Sequence, residues 1–115
     1  MTPHEREALD GFVAAVRAHY GEQLIEIAVF GSRARRDNRP DSDVDVAIVL
    51  RDGAWQAWRE QRHLVDIGTD IFIDTGLDIE PWVFSEADWA EAASGSAGPL
   101  LRSARADAKA VRDAA

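Results

Sequence analysis

Between Ala28 and Val49 the chain reads AVFGSRARRDNRPDSDVDVAIV, and most of the residues able to do chemistry are concentrated there. Asp43 and Asp45 stand one residue apart at the head of the apolar run VDVAIVL. Side chains on a strand alternate in direction, so both carboxylates point to one face and crowd each other. Two like charges held close are costly unless a proton or a cation sits between them. A hard divalent ion with oxygen ligands, Mg2+ above all, suits such a pair; it keeps several waters and completes its shell from phosphate oxygens. Gly31-Ser32, at the end of the preceding apolar run, offers a phosphate a close backbone approach, a hydroxyl and, where a short helix starts, free N–H groups. The arrangement these residues describe is a nucleoside triphosphate held between turn and metal.

The elements around this stretch must position it. Leu24 to Phe30 is almost continuously apolar, which predicts a strand covered on both faces that delivers Gly31-Ser32 to the sheet's edge. In the second strand Asp43, Asp45, Ala47 and Val49 share one face, and Val44, Val46, Ile48 and Leu50 the other. The connector between them holds Arg33, Arg35, Arg36 and Arg39 within seven residues of an otherwise acidic chain. Arg33 and Arg35, nearest the turn, are the candidates to meet phosphates or an acidic partner surface.

Upstream, Thr2-Pro3-His4-Glu5 is a helix start with a capping box, followed by Leu9, Phe12, Val13, Val16 and Tyr20 along one face and Gly21 as a stop. His4 and His19 lack a partner at metal-ligand spacing, so surface or cap roles are expected for them. Downstream, a long helix is predicted over 54–75, with Trp58, Leu64, Val65, Gly68, Ile71 and Phe72 inward and Gly76 as its stop; Ile71 to Ile73 fits a strand as well. Asp66, Asp70 and Asp74 make a solvated acidic stripe on it. Leu77 to Phe84 reads as a strand in which Pro81 implies an edge or a bulge, and Asp78 and Glu80 share a face. Ser85 caps a short helix carrying Trp89, 94–99 is a flexible loop, and Leu100 to Ala115 reads as a lightly docked alanine-rich helix. Core packing accounts for most of the four tryptophans, leaving one or two for a protein interface.

Gly-Ser, ten intervening residues, then Asp-Xaa-Asp at the head of an apolar strand resembles the signature of the DNA polymerase beta-like nucleotidyltransferase superfamily. The GSRARR connector and the string Ser42-Asp43-Val44-Asp45 are similar to those of its small stand-alone members, the minimal nucleotidyltransferases (MNT). The resemblance implies an α/β (α+β) fold, a mixed β-sheet packed against helices. It implies ATP as substrate and Mg2+ as cofactor, with Gly31 and Ser32 on the phosphates. It also implies a third carboxylate on the strand after the long helix, which helps hold the metal and activates the attacking hydroxyl. Asp78 and Glu80 both qualify; Asp78 is preferred, because it follows the helix-ending glycine and a single apolar residue, and it completes an expected metal set of Asp43, Asp45 and Asp78. Such proteins are commonly paired with a HEPN-domain protein, which implies a toxin–antitoxin system in which AMP is moved from ATP to a tyrosine of the HEPN toxin. Two other readings stay open: an antitoxin that neutralises its partner by contact alone, and a transferase for an aminoglycoside-like small molecule, for which an oligomer would have to build the acceptor site.

Length and charge bound these readings. Residues 1–115 are expected to form one domain with a modest core. With 21 acidic against 13 basic residues the net charge is −8, which disfavours direct nucleic-acid binding, since such binders show a basic footprint. The chain has no cysteine, so disulfides, thiolate metal sites and cysteine nucleophiles are excluded. No run approaches membrane-spanning length and no signal-like segment opens the chain, which places the expected location in the cytoplasm.

Overall fold

The computed structural model describes residues 1–93 and 98–111. Helix α1, Pro3–Tyr20, starts on the expected capping box: the Thr2 side chain accepts from the Glu5 amide and the Glu5 side chain accepts from the Thr2 amide. A single 3-10 turn leads into strand β1, Leu24–Phe30, and a one-turn helix α2, Ser32–Arg35, follows Gly31. Strand β2 is Val44–Leu50, helix α3 is Ala57–Thr75 and strand β3 is Ile79–Ser85. Helices α4, Glu86–Ala93, and α5, Pro99–Asp107, precede a two-residue strand β4, Lys109–Ala110.

The strands form one mixed sheet in the order β3-β2-β1-β4. β1 runs antiparallel to β2 and to β4, while β2 and β3 run parallel, joined by the α3 crossover. Pro81 therefore lies on an edge strand, where a missing N–H costs no ladder bond. That edge is not left bare: Gln61 of α3 donates to the Pro81 carbonyl at 2.6 Å and accepts from the Val83 amide at 3.0 Å, as a neighbouring strand would.

Each sheet face has its own core. Val44, Val46, Ile48 and Leu50 pack with Ile27 and Val29 against Phe12, Val16 and Leu64 of α1 and α3. Ala28, Phe30, Ala47 and Val49, with Trp82 and Phe84 beside them on β3, face Trp89 of α4 and Ala104 of α5 on the other side. The period-two division of β2 read in the sequence is the division between these two layers, and it puts Asp45 on the α4/α5 side.

Two expectations fail. Trp58, Val65 and Phe72 do not point inward: they are 63%, 46% and 50% exposed, because α3 rests on the sheet along the face of Leu64 and Gly68, and these three lie roughly a quarter turn away. The C-terminal segment is not one helix to Ala115. After Asp107 it turns into β4 and closes the free edge of β1, with the Val111 amide bonding the Ile27 carbonyl at 2.8 Å. Nor is the segment loosely docked, since Ala104 and Val111 are buried and Arg105 lies 5.2 Å over the Trp89 ring. The predicted loop at 94–99 lies mostly outside the described residues, as do 112–115. Among the described residues no helix is long and apolar enough to cross a membrane.

Candidate active site

Parallel pairing of β2 and β3 brings four acids together on one sheet face. Asp45 sits opposite Glu80 in the register, and the Val44 amide bonds the Asp78 carbonyl at 2.9 Å, which sets Asp43 beside Asp78. Carboxylate oxygens of Asp43, Asp78 and Glu80 all lie within 4.8 Å of one another. Asp45 stands next to this triad but outside it. Its Oδ1 accepts from Trp82 Nε1 at 3.4 Å, and its Oδ2 leans over Gly31. The converging set is thus Asp43, Asp78 and Glu80, with Glu80 where Asp45 was expected, and both candidates for the third carboxylate reach the cluster.

The electrostatics follow from the crowding. Burial raises the Asp78 pKa, and the adjacent Asp43 carboxylate raises it further. Glu80 is raised by burial and then by the charges of Asp78, Asp43 and Asp45. Asp45 is raised mainly by burial, partly offset by its bond from Trp82. Burial and the neighbouring carboxylates together make each of these groups resist ionisation. A set of hard oxygen donors at this spacing fits a divalent cation, which would lift that penalty.

Gly31 explains why a glycine ends β1. Its φ of 73° and ψ of −153° fall in a region essentially reserved for glycine, and a Cβ there would lie 2.7 Å from Asp45 Oδ2. The bare backbone of the turn and the Asp45 carboxylate therefore touch, and Ser32 opens α2 beside them.

The arginines divide. Arg33 turns into the protein: Nε and Nη2 donate to the Ser42 carbonyl at 3.2 and 2.6 Å, and Nη1 pairs with Glu5 at 2.8 Å, with 5% of its side chain exposed. It ties the connector to the first turn of α1, so its donors are committed away from any phosphate, contrary to the role expected for it. Arg35 stays exposed, pairs with Asp37 and with Asp107 of α5, and lies near enough to Asp45 for its charge to favour that carboxylate's ionised form. Trp82 was not singled out as a site residue in the sequence; its place two residues after Glu80, on the same face of β3, was the available signal. His4 holds the Thr75 carbonyl at 2.8 Å across the ends of α1 and α3, the cap role expected of it.

Among the described residues two clefts flank the triad. One, of 180 Å³, lies between α3 and β3 and is lined by Val65, Phe72, Asp78 and Glu80 among others. The second, of 300 Å³, opens between the start of α1, the connector and the α3–β3 turn, with Asp43, Asp78 and Phe72 in its wall.

Comparison with known proteins identifies the fold and the family. The chain is 30% identical over 83 residues to a protein of Methanocaldococcus jannaschii named "Putative protein adenylyltransferase", an alignment that covers 72% of this chain and 76% of that one. A crystal structure described as a putative nucleotidyltransferase from Sulfolobus solfataricus superposes with a TM-score of 0.57 at 19% identity, covering 79% of this chain and 82% of that chain. A second, described as a toxin-antitoxin with AMP-PNP, superposes with a TM-score of 0.54 at 15% identity, covering 88% of this chain and 70% of that chain. These likenesses show that the mixed sheet and its helices are the nucleotidyltransferase fold. Residues 9–84, which run from α1 through β3 and include all four acids, match the family described as the nucleotidyltransferase domain, and to that family this chain belongs.

Proposed function

We propose that this nucleotidyltransferase transfers AMP from ATP to a hydroxyl on a partner protein, with Mg2+ as cofactor, and that the acceptor is a tyrosine of a HEPN-domain toxin. The observation that carries the reaction is the convergence of Asp43, Asp78 and Glu80 beside the Gly31 turn. The protein acceptor is supported by the name of the archaeal relative and by the toxin–antitoxin neighbour that binds an ATP analogue.

In this reading Asp43, Asp78 and Glu80 hold the cation, with Asp45 beside them; when bound, it supplies positive charge to the phosphate oxygens and relieves the repulsion among the acids. The backbone of Gly31 and the hydroxyl of Ser32 orient the outer phosphates. The acceptor oxygen attacks the α phosphorus in line, a P–O bond forms to it, and the bond to pyrophosphate breaks. The hydroxyl proton passes to a carboxylate oxygen of Asp78 or Glu80 on the side of the acceptor. Arg35, exposed and near enough to Asp45 for their charges to interact, is assigned to the departing negative charge, for which it would exchange its pairs with Asp37 and Asp107.

The test is incubation with ATP labelled on the α phosphate, Mg2+ and the product of the neighbouring reading frame. Label on a tyrosine of that protein, lost in Asp43→Asn, is the expected result. A complex that forms without label would replace transfer with neutralisation by contact. Label on an aminoglycoside-like acceptor instead would move the substrate class to small molecules.

A further inference from the structure

Helix α3 is apolar on two faces, and among the described residues only one of them is covered. Leu64 and Gly68 are buried, while Trp58, Val65 and Phe72 recur every seventh residue along an exposed stripe, with Ile73 beside them at 73% exposure. Seven residues turn a helix through nearly two full revolutions, so the three form a line.

The charges on α3 run against its own dipole. Arg59, Arg62 and His63 occupy its N-terminal half, and Asp66, Asp70 and Asp74 its C-terminal half, the reverse of what the macrodipole favours. Among the described residues none of these three aspartates has an ion pair. Glu60, the acid in the first turn, is engaged by the Tyr20 hydroxyl at 3.0 Å.

A second α3 laid antiparallel across Val65 answers both features. The stripe is centred on Val65, so Val65 meets its own copy, Trp58 meets the partner's Phe72, and the basic half of each helix runs beside the acidic half of the other. Arg62 and Asp66 lie on one flank of the stripe, about 60° and about 100° around the helix from Val65, which sets each Arg62 against the partner's Asp66. The contact is isologous, so Val65 meets its copy once, on the axis, and every other pairing forms twice. The four exposed side chains offer roughly 400 Å² of apolar surface per copy, about half of what a standard interface buries per partner, and the charged rim supplies the rest.

We infer that α3 is a self-association face and that the chain forms a two-fold dimer through it. Phe72 lines both clefts beside the acid triad, so the partner's Trp58 would stand at their shared wall, and each site would be completed by the other copy. This assignment does not depend on which acceptor the enzyme uses.

Sedimentation velocity on the full chain over a wide concentration range tests it. The weight-average mass should rise from 12.7 kDa toward twice that value. Val65→Asp, which places two carboxylates face to face on the axis, should hold the chain at the monomer mass at every concentration that dimerises the parent, with an unchanged circular dichroism spectrum. Arg62→Asp and Asp66→Arg should each weaken the dimer by about five- to tenfold, and the double variant should recover most of that loss because the pair is merely exchanged. A chain that stays monomeric throughout, or a dimer indifferent to Val65→Asp, would overturn the assignment. So would a stripe that Val65→Asp uncouples from a different protein while the parent chain remains a monomer.

Discussion

Replacing Gly31 by alanine isolates the contact that links the turn to the acids. Two costs are expected. The backbone conformation, φ 73° and ψ −153°, costs a residue with a Cβ about 1–3 kcal/mol. The new methyl would also lie 2.7 Å from Asp45 Oδ2, so the carboxylate must withdraw by about 0.7 Å to reach ordinary contact and in doing so gives up its long bond from Trp82. The steric part adds about 1–2 kcal/mol. Gly21 supplies the control: its φ of 56° and ψ of −128° are similar, and nothing lies within 4 Å of where its Cβ would be. Urea unfolding followed by circular dichroism should therefore show Gly31→Ala costing about 1–2 kcal/mol more than Gly21→Ala. Adding Asp45→Ala should recover that excess, a coupling energy of about 1–2 kcal/mol in the double-mutant cycle. Equal costs at the two glycines, or a coupling below about 0.3 kcal/mol, would refute the claim that Asp45 is what requires a glycine at position 31.

Other outcomes follow from the same geometry. Arg33→Met should destabilise the chain by about 1.5–3 kcal/mol, because it removes the ion-pair partner of Glu5 and the guanidinium donors to the Ser42 carbonyl, whereas Arg35→Ala should cost no more than about 1 kcal/mol; urea midpoints compare them. The raised pKa values of Asp45, Asp78 and Glu80 mean that the folded chain binds protons more tightly than the unfolded one at these sites. Their contribution is thus most favourable at low pH and is lost as pH climbs from the ordinary carboxylate range, about 4, through the raised folded values. Unfolding series in the absence of divalent ions should show an Asp78→Asn/Glu80→Gln variant gaining on the parent across that window; a constant difference would count against the crowding. Glu5 works the other way, its pKa held low mainly by the Thr2 amide and also by Arg33, so its contribution disappears as pH falls through its folded value. Millimolar Mg2+ or Mn2+ should raise the melting temperature of the parent and leave Asp43→Asn nearly unmoved; equal shifts in both would exclude Asp43 from the cation site.

Local chemistry was legible in the sequence wherever neighbours along the chain decide the outcome. The capping box at Thr2, the strand at 24–30, the turn glycine and the two faces of β2 all follow from spacing, because side-chain direction has period two on a strand and 3.6 on a helix. The pairing of Asp43 and Asp45 on one face was likewise implicit in the DVD string.

What spacing could not decide is which groups from distant segments meet. Asp78 and Glu80 are joined to Asp43 only by the parallel register of β3 on β2, and that register also turns Asp45 toward Trp82 and Gly31 instead of into the triad. Arg33 read as a candidate to meet phosphates or an acidic partner surface because it lies next to the Gly31-Ser32 turn; the fold brings the connector back on α1 and gives it Glu5. The helical period on α3 correctly marked apolar positions but could not say which of two apolar stripes the sheet would cover, since a helix can rest only one side on a single sheet face. The tail became β4 because β1 had an open edge to close, a condition set by strand order and invisible to local propensity. Sequence determined the pieces and the carboxylates they carry; tertiary pairing decided which of those charges share a site, because repulsion and coordination act over a few ångströms of space and not over intervals of chain.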